Sequence, residues 1–389
     1  MFLKLFYSLL LVLCSSALAL AKPLAKRDFG PVNLWTPPAG TPSPNNYTDP
    51  KTNYGRGLLL SGSGVPGVVL STFEDIYESK NNRPFFPIYR STDYGGTWTQ
   101  YSRVMDTQNG WGLRYQPHMI QLQKAVGSYA AGTILIAGLS VPPDLSATRI
   151  EIYASTDLGK TWSFVSHVAQ GEGFKQGVST GLTANPIWEP FLLEYNGQII
   201  CYYSDERDPA YSQKLVHQVS SDLRTWGPVV NDVTSSNQND RPGMATVAAL
   251  PNGKWILTYE FGGAPEGSFS VYYKIQTSPL TFGNIYAVVV KSKDGVIPVG
   301  SPYVIYTPVG GNNGLGAIVV NGASRSELFV SRDQGGTWDR VTTQSGPAYS
   351  RGLVVAPKPK DILIFAGNQG SSQQITMTAT DVNGCVNCS

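Results

Sequence analysis

Ser91–Trp98 reads STDYGGTW, and nearly the same phrase returns as STDLGKTW at Ser155–Trp162 and as SRDQGGTW at Ser331–Trp338. A shorter form, SSDLRTW, occupies Ser220–Trp226. Self-similarity at a period of roughly 40 to 65 residues marks an array of like units, not a string of unrelated domains. The gap between the copies at 220 and 331 leaves room for a decayed one near Thr277-Ser278. The chemistry of the phrase is local. Asp93, Asp157 and Asp333 can accept turn N–H groups. Gly95, Gly159 and Gly335 tolerate positive φ. Trp98, Trp162 and Trp338 are expected to pack, mostly buried, on a neighbouring sheet. The phrase is a hairpin clamp, and its aspartates are not catalytic candidates.

The residues around each clamp alternate as strands do. Arg149–Ala154 reads RIEIYA, and Leu328–Val330 is apolar. Asn196-Gly197 and Asn252-Gly253 each sit between apolar runs, a strong hairpin signal. Helical periodicity is almost absent. Four-stranded units repeated about six times make a β-propeller. The innermost strands are expected to start near residues 56, 115, 190, 242, 302 and 351. The last unit lacks a strand, which Val32–Trp35 can supply to close the ring.

Met1–Lys4, the apolar run Leu5–Leu13 and the small residues around Ala17–Ala21 read as a secretory signal peptide, followed by a dibasic pair, Lys26-Arg27. Residues 1–27 are thus expected to be signal peptide and short pro-segment, and residues 28–389 a single propeller domain, secreted and monomeric. Four basic and no acidic residues leave with that segment, taking the net charge from +2 to −2. Charged residues are 14% of the chain, against about a quarter in typical proteins, with no basic or acidic block. Nothing points to nucleic acid or a membrane surface. Asn46-Tyr47-Thr48 is an N-glycosylation acceptor, with Asn46 the modified residue. Cys385 and Cys388 are expected to pair locally, leaving Cys201 a buried free thiol. His118, His167 and His217 share no metal-ligand spacing, and neither a metal nor a cofactor is expected.

Strand arithmetic then locates a site. In a blade, the turns between strands one and two and between strands three and four lie on one face. The clamps and the Asn-Gly pairs mark that lower face. Glu189, seven residues before Asn196, and Glu260, seven after Gly253, both reach the opposite, upper face in adjacent blades. Two carboxyls at one mouth are what glycosidic cleavage requires. Trp188 beside Glu189 lowers the local polarity and favours its protonated form. Glu194 falls beside the lower turn and is excluded. Arg56, Tyr115, His118, Arg241 and Arg351 start innermost strands on the upper face and, with Trp111 and Trp188, are candidate substrate-binding residues. Asp205, Glu206 and Arg207 are candidates for its rim.

The phrase Ser-x-Asp-x-Gly-x-x-Trp resembles the Asp-box (BNR repeat) of the sialidase superfamily. The stretches GLRYQPHM (Gly112–Met119), NPIWEPFLLEYNGQIICYYSDER (Asn185–Arg207), DRPGMATVAALPNGKWILTYEFGG (Asp240–Gly263) and AYSRG (Ala348–Gly352) further resemble fungal exo-α-1,5-L-arabinanases of glycoside hydrolase family 93. That resemblance implies an all-β, six-bladed propeller that releases arabinobiose from linear arabinan with retention, through two catalytic glutamates. Glu260 resembles in position the sialidase glutamate beneath the anomeric carbon, which implies Glu260 as nucleophile with Tyr349 as its hydrogen-bond partner, and Glu189, beside Trp188, as acid/base. A sialidase is the rival enzyme: Arg56, Arg241 and Arg351 resemble its carboxylate clamp, and Tyr349 its nucleophile. Against it, no Arg-Ile-Pro stretch begins the first strand. A non-catalytic Asp-box lectin is the third reading, but its key residues would repeat between blades, and Glu189 and Glu260 do not.

Overall fold

The computed structural model describes residues 29–37, 52–62, 64–75, 83–174, 185–356, 361–367 and 373–384. The expected signal segment, Asn46, Cys385 and Cys388 lie outside them. The first strand, β1 (Phe29–Trp35), precedes five blades in sequence order. Blade 1 holds β2 (Arg56–Leu59), β3 (Val69–Thr72), β4 (Phe86–Ser91) and β5 (Thr99–Val104); blade 2 holds β6 (Leu113–Gln121), β7 (Ile134–Ser140), β8 (Ala147–Ser155) and β9 (Ser163–Glu172). Blade 3 follows with β10 (Ile187–Tyr195), β11 (Gln198–Asp205), β12 (Lys214–Ser220) and β13 (Val230–Val233). Blade 4 has β14 (Arg241–Ala249), β15 (Trp255–Gly262), β16 (Ser270–Gln276) and β17 (Val288–Val289), and blade 5 has β18 (Val304–Thr307), β19 (Ala317–Val320), β20 (Leu328–Ser331) and β21 (Asp339–Val341). Blade 6 is completed from both ends of the chain: β22 (Gly352–Val355), β23 (Asp361–Ala366), β24 (Ile375–Asp381) and, outermost, β1.

Every strand pair is antiparallel, and Val32 faces Met377 across the closing seam. The innermost strands pack in ring order, with β22 returning to β2. Gly352 N donates to Gly55 O at 3.0 Å across that join. The propeller is therefore six-bladed and closed. There is no single core. Six slabs of buried apolar side chains fill the six gaps between blades; Leu70, Phe86 and Ile88 of blade 1, for example, meet Ile134, Ile136 and Tyr153 of blade 2. Cys201 is a buried free thiol within one slab, among the described residues.

All four clamps fall between the third and fourth strands of their blades. Ser91 Oγ donates to Asp93 Oδ1 at 2.8 Å and accepts Gly95 N at 2.8 Å, while Asp93 also accepts both Thr97 N and Thr97 Oγ1 at 2.9 Å. Partial burial pushes the carboxyl of Asp157 up, but the matching bonds from Thr161, Ser155 and Lys160 outweigh it and hold Asp157 at about 2. The turn then reaches backward. Ser166 donates to Leu223 O at 2.6 Å, and Tyr273 donates to Gly335 O at 2.7 Å, each from the preceding blade. The turn after β16 has lost its aspartate, yet Tyr202 of blade 3 still donates to Pro279 O at 2.6 Å. The decayed copy thus keeps the inter-blade clasp.

The tryptophans correct one expectation. Only Trp338 is fully buried, at 3% exposure, against Tyr273 of blade 4. Trp98 and Trp162 are half-buried, because each lies along the lower rim: Trp98 against Phe365, and Trp162 with its Nε1 donating to Ser102 Oγ at 3.1 Å. Trp338→Ala is therefore expected to cost about 3–5 kcal/mol, the range for losing a buried large aromatic, and Trp98→Ala distinctly less. Equilibrium denaturation of the two variants checks this; equal losses would remove burial as the cause.

Candidate active site

Each innermost strand has one residue in the left-handed region within or just before its upper end. These residues are Tyr54, Gln116, Glu189, Met244, Ser301 and Ser350, with φ between 44° and 62°. In β6, β10 and β14 the pairing register slips at this point. The slip turns a backbone N–H away from the ladder, so it needs another acceptor. Side chains of the preceding blade supply it. Gln116 N donates to Glu74 Oε1 at 2.8 Å, Glu189 N to Gln116 Oε1 at 2.8 Å, Met244 N to Glu189 Oε2 at 2.9 Å, and Ser301 N to Glu260 Oε2 at 2.6 Å.

Glu189 and Glu260 meet over Gly243. A Cβ built on Gly243 would stand 3.6 Å from Glu189 Oε2 and 3.5 Å from Glu260 Oε1, so those oxygens lie within about 7 Å of each other. Both side chains are half-buried. Their surroundings differ. Glu189 accepts three donors: Ser204 Oγ at 2.7 Å, Met244 N, and Tyr54 OH at 3.3 Å. Glu260 accepts Ser301 N. Burial raises both carboxyls. For Glu189 the three donors and Arg241 oppose the rise. For Glu260 burial and the neighbouring charge of Glu189 prevail over Ser301 N–H and Arg241, and the carboxyl rises to about 8. Both carboxyls stay raised on balance, but Glu189 is the better supplied with donors to its charged form and Glu260 the poorer, an asymmetry that an acid-assisted displacement can use.

Tyr349 stands at the mouth, 40% exposed, its ring edge-on to Tyr54 at 5.6 Å. Its hydroxyl is hydrogen-bonded to that of Tyr54, which in turn bonds Glu189. The expected direct partnership with Glu260 is replaced by this route. Although the ring is exposed, withdrawal of its hydroxyl from water beside Tyr54, together with both glutamate charges, holds the Tyr349 phenol well above its usual range. Below lies a small cavity lined by Tyr54, Arg56, Gln116, His118, Glu189 and Ser350, among others. His118 Nδ1 accepts Leu192 N at 3.0 Å, so Nε2 carries the proton toward Tyr303 OH at 3.2 Å. Burial and the Arg56 charge keep this imidazole neutral.

The arginines divide. Arg56 stays at the cavity, bonded to Ser350 O at 2.8 Å and Ser350 Oγ at 2.7 Å. Arg241 bonds Glu206 and Gln213, and Glu206 also accepts Trp188 Nε1 at 2.8 Å. Arg351 is a correction: it is 1% exposed and caps the carbonyls of Gly322, Arg325, Ser326 and Gly346, so it ties loops together instead of facing the mouth. Trp111 packs against the Arg149 guanidinium, 4.9 Å from its ring centroid. Trp188 and Tyr115 join Phe174 in an aromatic wall, with ring centroids 4.6 and 6.1 Å from Phe174. Asp205 and Arg207 pair with each other, and Arg207 also donates to Tyr203 OH. Glu194 accepts Gln123 N and Lys124 N, a clasp to blade 2 away from the site.

Sequence reasoning missed Glu74, Gln116 and Tyr54. Gln116 touches Glu189 at both ends, through its backbone N and, by way of Tyr54 OH at 3.4 Å, through its carboxylate. Glu74 anchors Gln116. Its burial outweighs bonds from Gln116 and Asn53 and lifts it to about 8. In the folded chain Glu74 and Glu260 keep protons that the unfolded chain releases near pH 4.5, so the folded state binds more protons between those limits. Their stabilisation is full below about pH 4.5 and is lost as pH rises through about 8. The melting temperature is expected to fall over that window, and less steeply in Glu74→Gln, whose amide oxygen can still accept Gln116 N–H. Thermal melts from pH 5 to 9 test it; an unchanged slope in the variant would remove Glu74 from the effect.

The BNR-Asp box repeat model matches residues 88–101. A comparison with curated proteins finds no match. Among solved structures, the α-L-arabinofuranosidase of Fusarium graminearum bound to an iminosugar inhibitor is 41% identical, with a TM-score of 0.84, covering 92% of this chain and 99% of that one. The same organism's GH93 enzyme with arabinobiose gives 40% and 0.84 over the same shares. The Penicillium chrysogenum α-L-arabinanase complexed with arabinobiose gives 38% and 0.83, covering 91% and 98%. A microbial sialidase, 15% identical with a TM-score of 0.59 over 85% of this chain and 66% of its own, shares the fold alone. On that identity across nearly the whole length of the fungal enzymes, the chain belongs to glycoside hydrolase family 93.

Proposed function

We propose that the protein is a secreted, retaining exo-α-1,5-L-arabinanase that releases arabinobiose from linear arabinan. The observation that carries this reading is the pair Glu189 and Glu260, flanking Gly243 with opposite hydrogen-bonding environments. Full-length likeness to enzymes solved with arabinobiose supports the substrate class. Arg351 turned onto backbone carbonyls and Arg241 engaged by Glu206 leave the sialidase reading without its three-arginine clamp.

The bonding pattern favours roles opposite to those the resemblance implied. Glu189, the carboxylate with three donors, attacks the anomeric carbon while Glu260 gives its proton to the departing glycosidic oxygen. A glycosyl ester on Glu189 results. Glu260, now a carboxylate, takes a proton from water, whose oxygen attacks the same carbon and frees Glu189. Tyr54 and Tyr349 stay protonated and steady the Glu189 carboxylate. Met1–Arg27 supports secretion, and Asn46 supports glycosylation in a eukaryotic host; a monomer acting without nucleic acid, membrane or cofactor completes the proposal.

Incubation with debranched arabinan and with a sialoside, followed by product chromatography, tests the reading: arabinobiose from the first alone is expected, and release of sialic acid would overturn it. Azide separates the roles. With an activated arabinoside, Glu260→Ala is expected to give the retained glycosyl azide and Glu189→Ala the inverted one. The reverse pattern would exchange the roles, and near-normal hydrolysis by either variant would remove that residue from the mechanism.

A further inference from the structure

Phe269 is an aromatic side chain left 42% exposed on the upper face, at a φ of 65°. A bulky residue in the left-handed region is a backbone outlier, and such strain persists only where the surroundings enforce it. They do so here on both sides. Phe269 N donates to Phe261 O at 2.8 Å, and Phe269 O accepts Gly300 N at 2.8 Å. Gly300 immediately precedes Ser301, whose N–H holds the Glu260 carboxyl. The strained residue is therefore bound into the same strand end and the same loop that position the acid.

The ring itself lies over Gly262. A Cβ on Gly262 would meet Phe269 Cε1 at 3.0 Å and Arg241 Cβ at 3.2 Å. Residues two apart on a strand share a face, so Gly262 continues the face of β15 that presents Glu260, roughly 7 Å further toward solvent. The Phe269 ring occupies the place where Gly262 has no side chain. An exposed aromatic face in that place, beside the proton donor of a glycosidase, has the chemistry to stack on the C–H face of a sugar.

Resting on the arabinanase reading, we propose that Phe269 is a binding platform for the arabinofuranosyl unit next to the linkage being cleaved. The left-handed backbone is what lays the ring over Gly262; a residue relaxed at this position would present no such face.

The test uses linear α-1,5-arabino-oligosaccharides of three to five units, with the wild-type chain and the variants Phe269→Asn and Phe269→Tyr. Asparagine tolerates the left-handed region, so Phe269→Asn removes the ring and relieves the backbone together. It is expected to leave the melting temperature unchanged or higher, to raise KM about five- to tenfold, and to keep kcat within about twofold. Phe269→Tyr is expected to keep the wild-type KM. An unchanged KM in Phe269→Asn would overturn the platform, and so would a lowered melting temperature with KM intact, which would make the ring a structural cover for Gly262. Failure of the wild-type chain to cleave any of these substrates would instead overturn the arabinanase reading.

Discussion

Four backbone amides at the upper ends of the innermost strands set the terms for the rest of this molecule. In β6, β10 and β14 a left-handed residue takes its N–H out of the sheet ladder, and an amide withdrawn from water without an acceptor is costly. In four blades the acceptor is a side chain from the blade before. Three of those acceptors are carboxyls, and two of the three are the glutamates that meet over Gly243. The device that satisfies the backbone is the same one that aims the chemical groups. Displacing Glu189 would leave Met244 N–H with only the longer bond to Ser204 Oγ at 3.4 Å, so catalytic geometry and folding are coupled.

The lower face applies the same logic with different residues. There the Asp-box turns present carbonyls that the preceding blade satisfies, through Ser166, Tyr202 or Tyr273. The aspartates never leave their own turn; they only fix its shape. That separation explains how the turn after β16 could lose its aspartate while keeping the clasp. Between the two faces, the apolar slabs are filled from both adjoining blades, so no blade owns a complete core.

Much of this was legible in the sequence because it depends on short-range patterns. The clamp phrase fixes which turns lie below, the Asn-Gly pairs fix the inner hairpins, and counting seven residues places Glu189 and Glu260 above. Val32–Trp35 was readable as a closing strand because one blade was short by one. What could not be read is set by partners distant in sequence. Glu74 looks like any strand-end glutamate until Gln116, 42 residues away, donates to it. Arg351 lies just before an innermost strand much as Arg56 begins one, yet four carbonyls of blade 5 and its following loop draw it inward. The Arg149 guanidinium on Trp111 and the Tyr54 ring on Tyr349 are likewise contacts that no local pattern announces. Strand counting assigns a residue to a face; it does not say which neighbour claims its side chain.

The seam in blade 6 has a consequence for how the molecule is made. β1 leaves the ribosome before every other described strand, yet its partner β24 leaves last. The earliest segment must therefore wait, unpaired, through the synthesis of five blades. Until it docks, β24 presents an open edge able to pair with a strand of another chain. The step that makes the ring continuous is also the one with the greatest sequence separation, where loop closure is slowest to be rewarded. Assembly of this propeller thus ends where translation began, and its most vulnerable moment is the last.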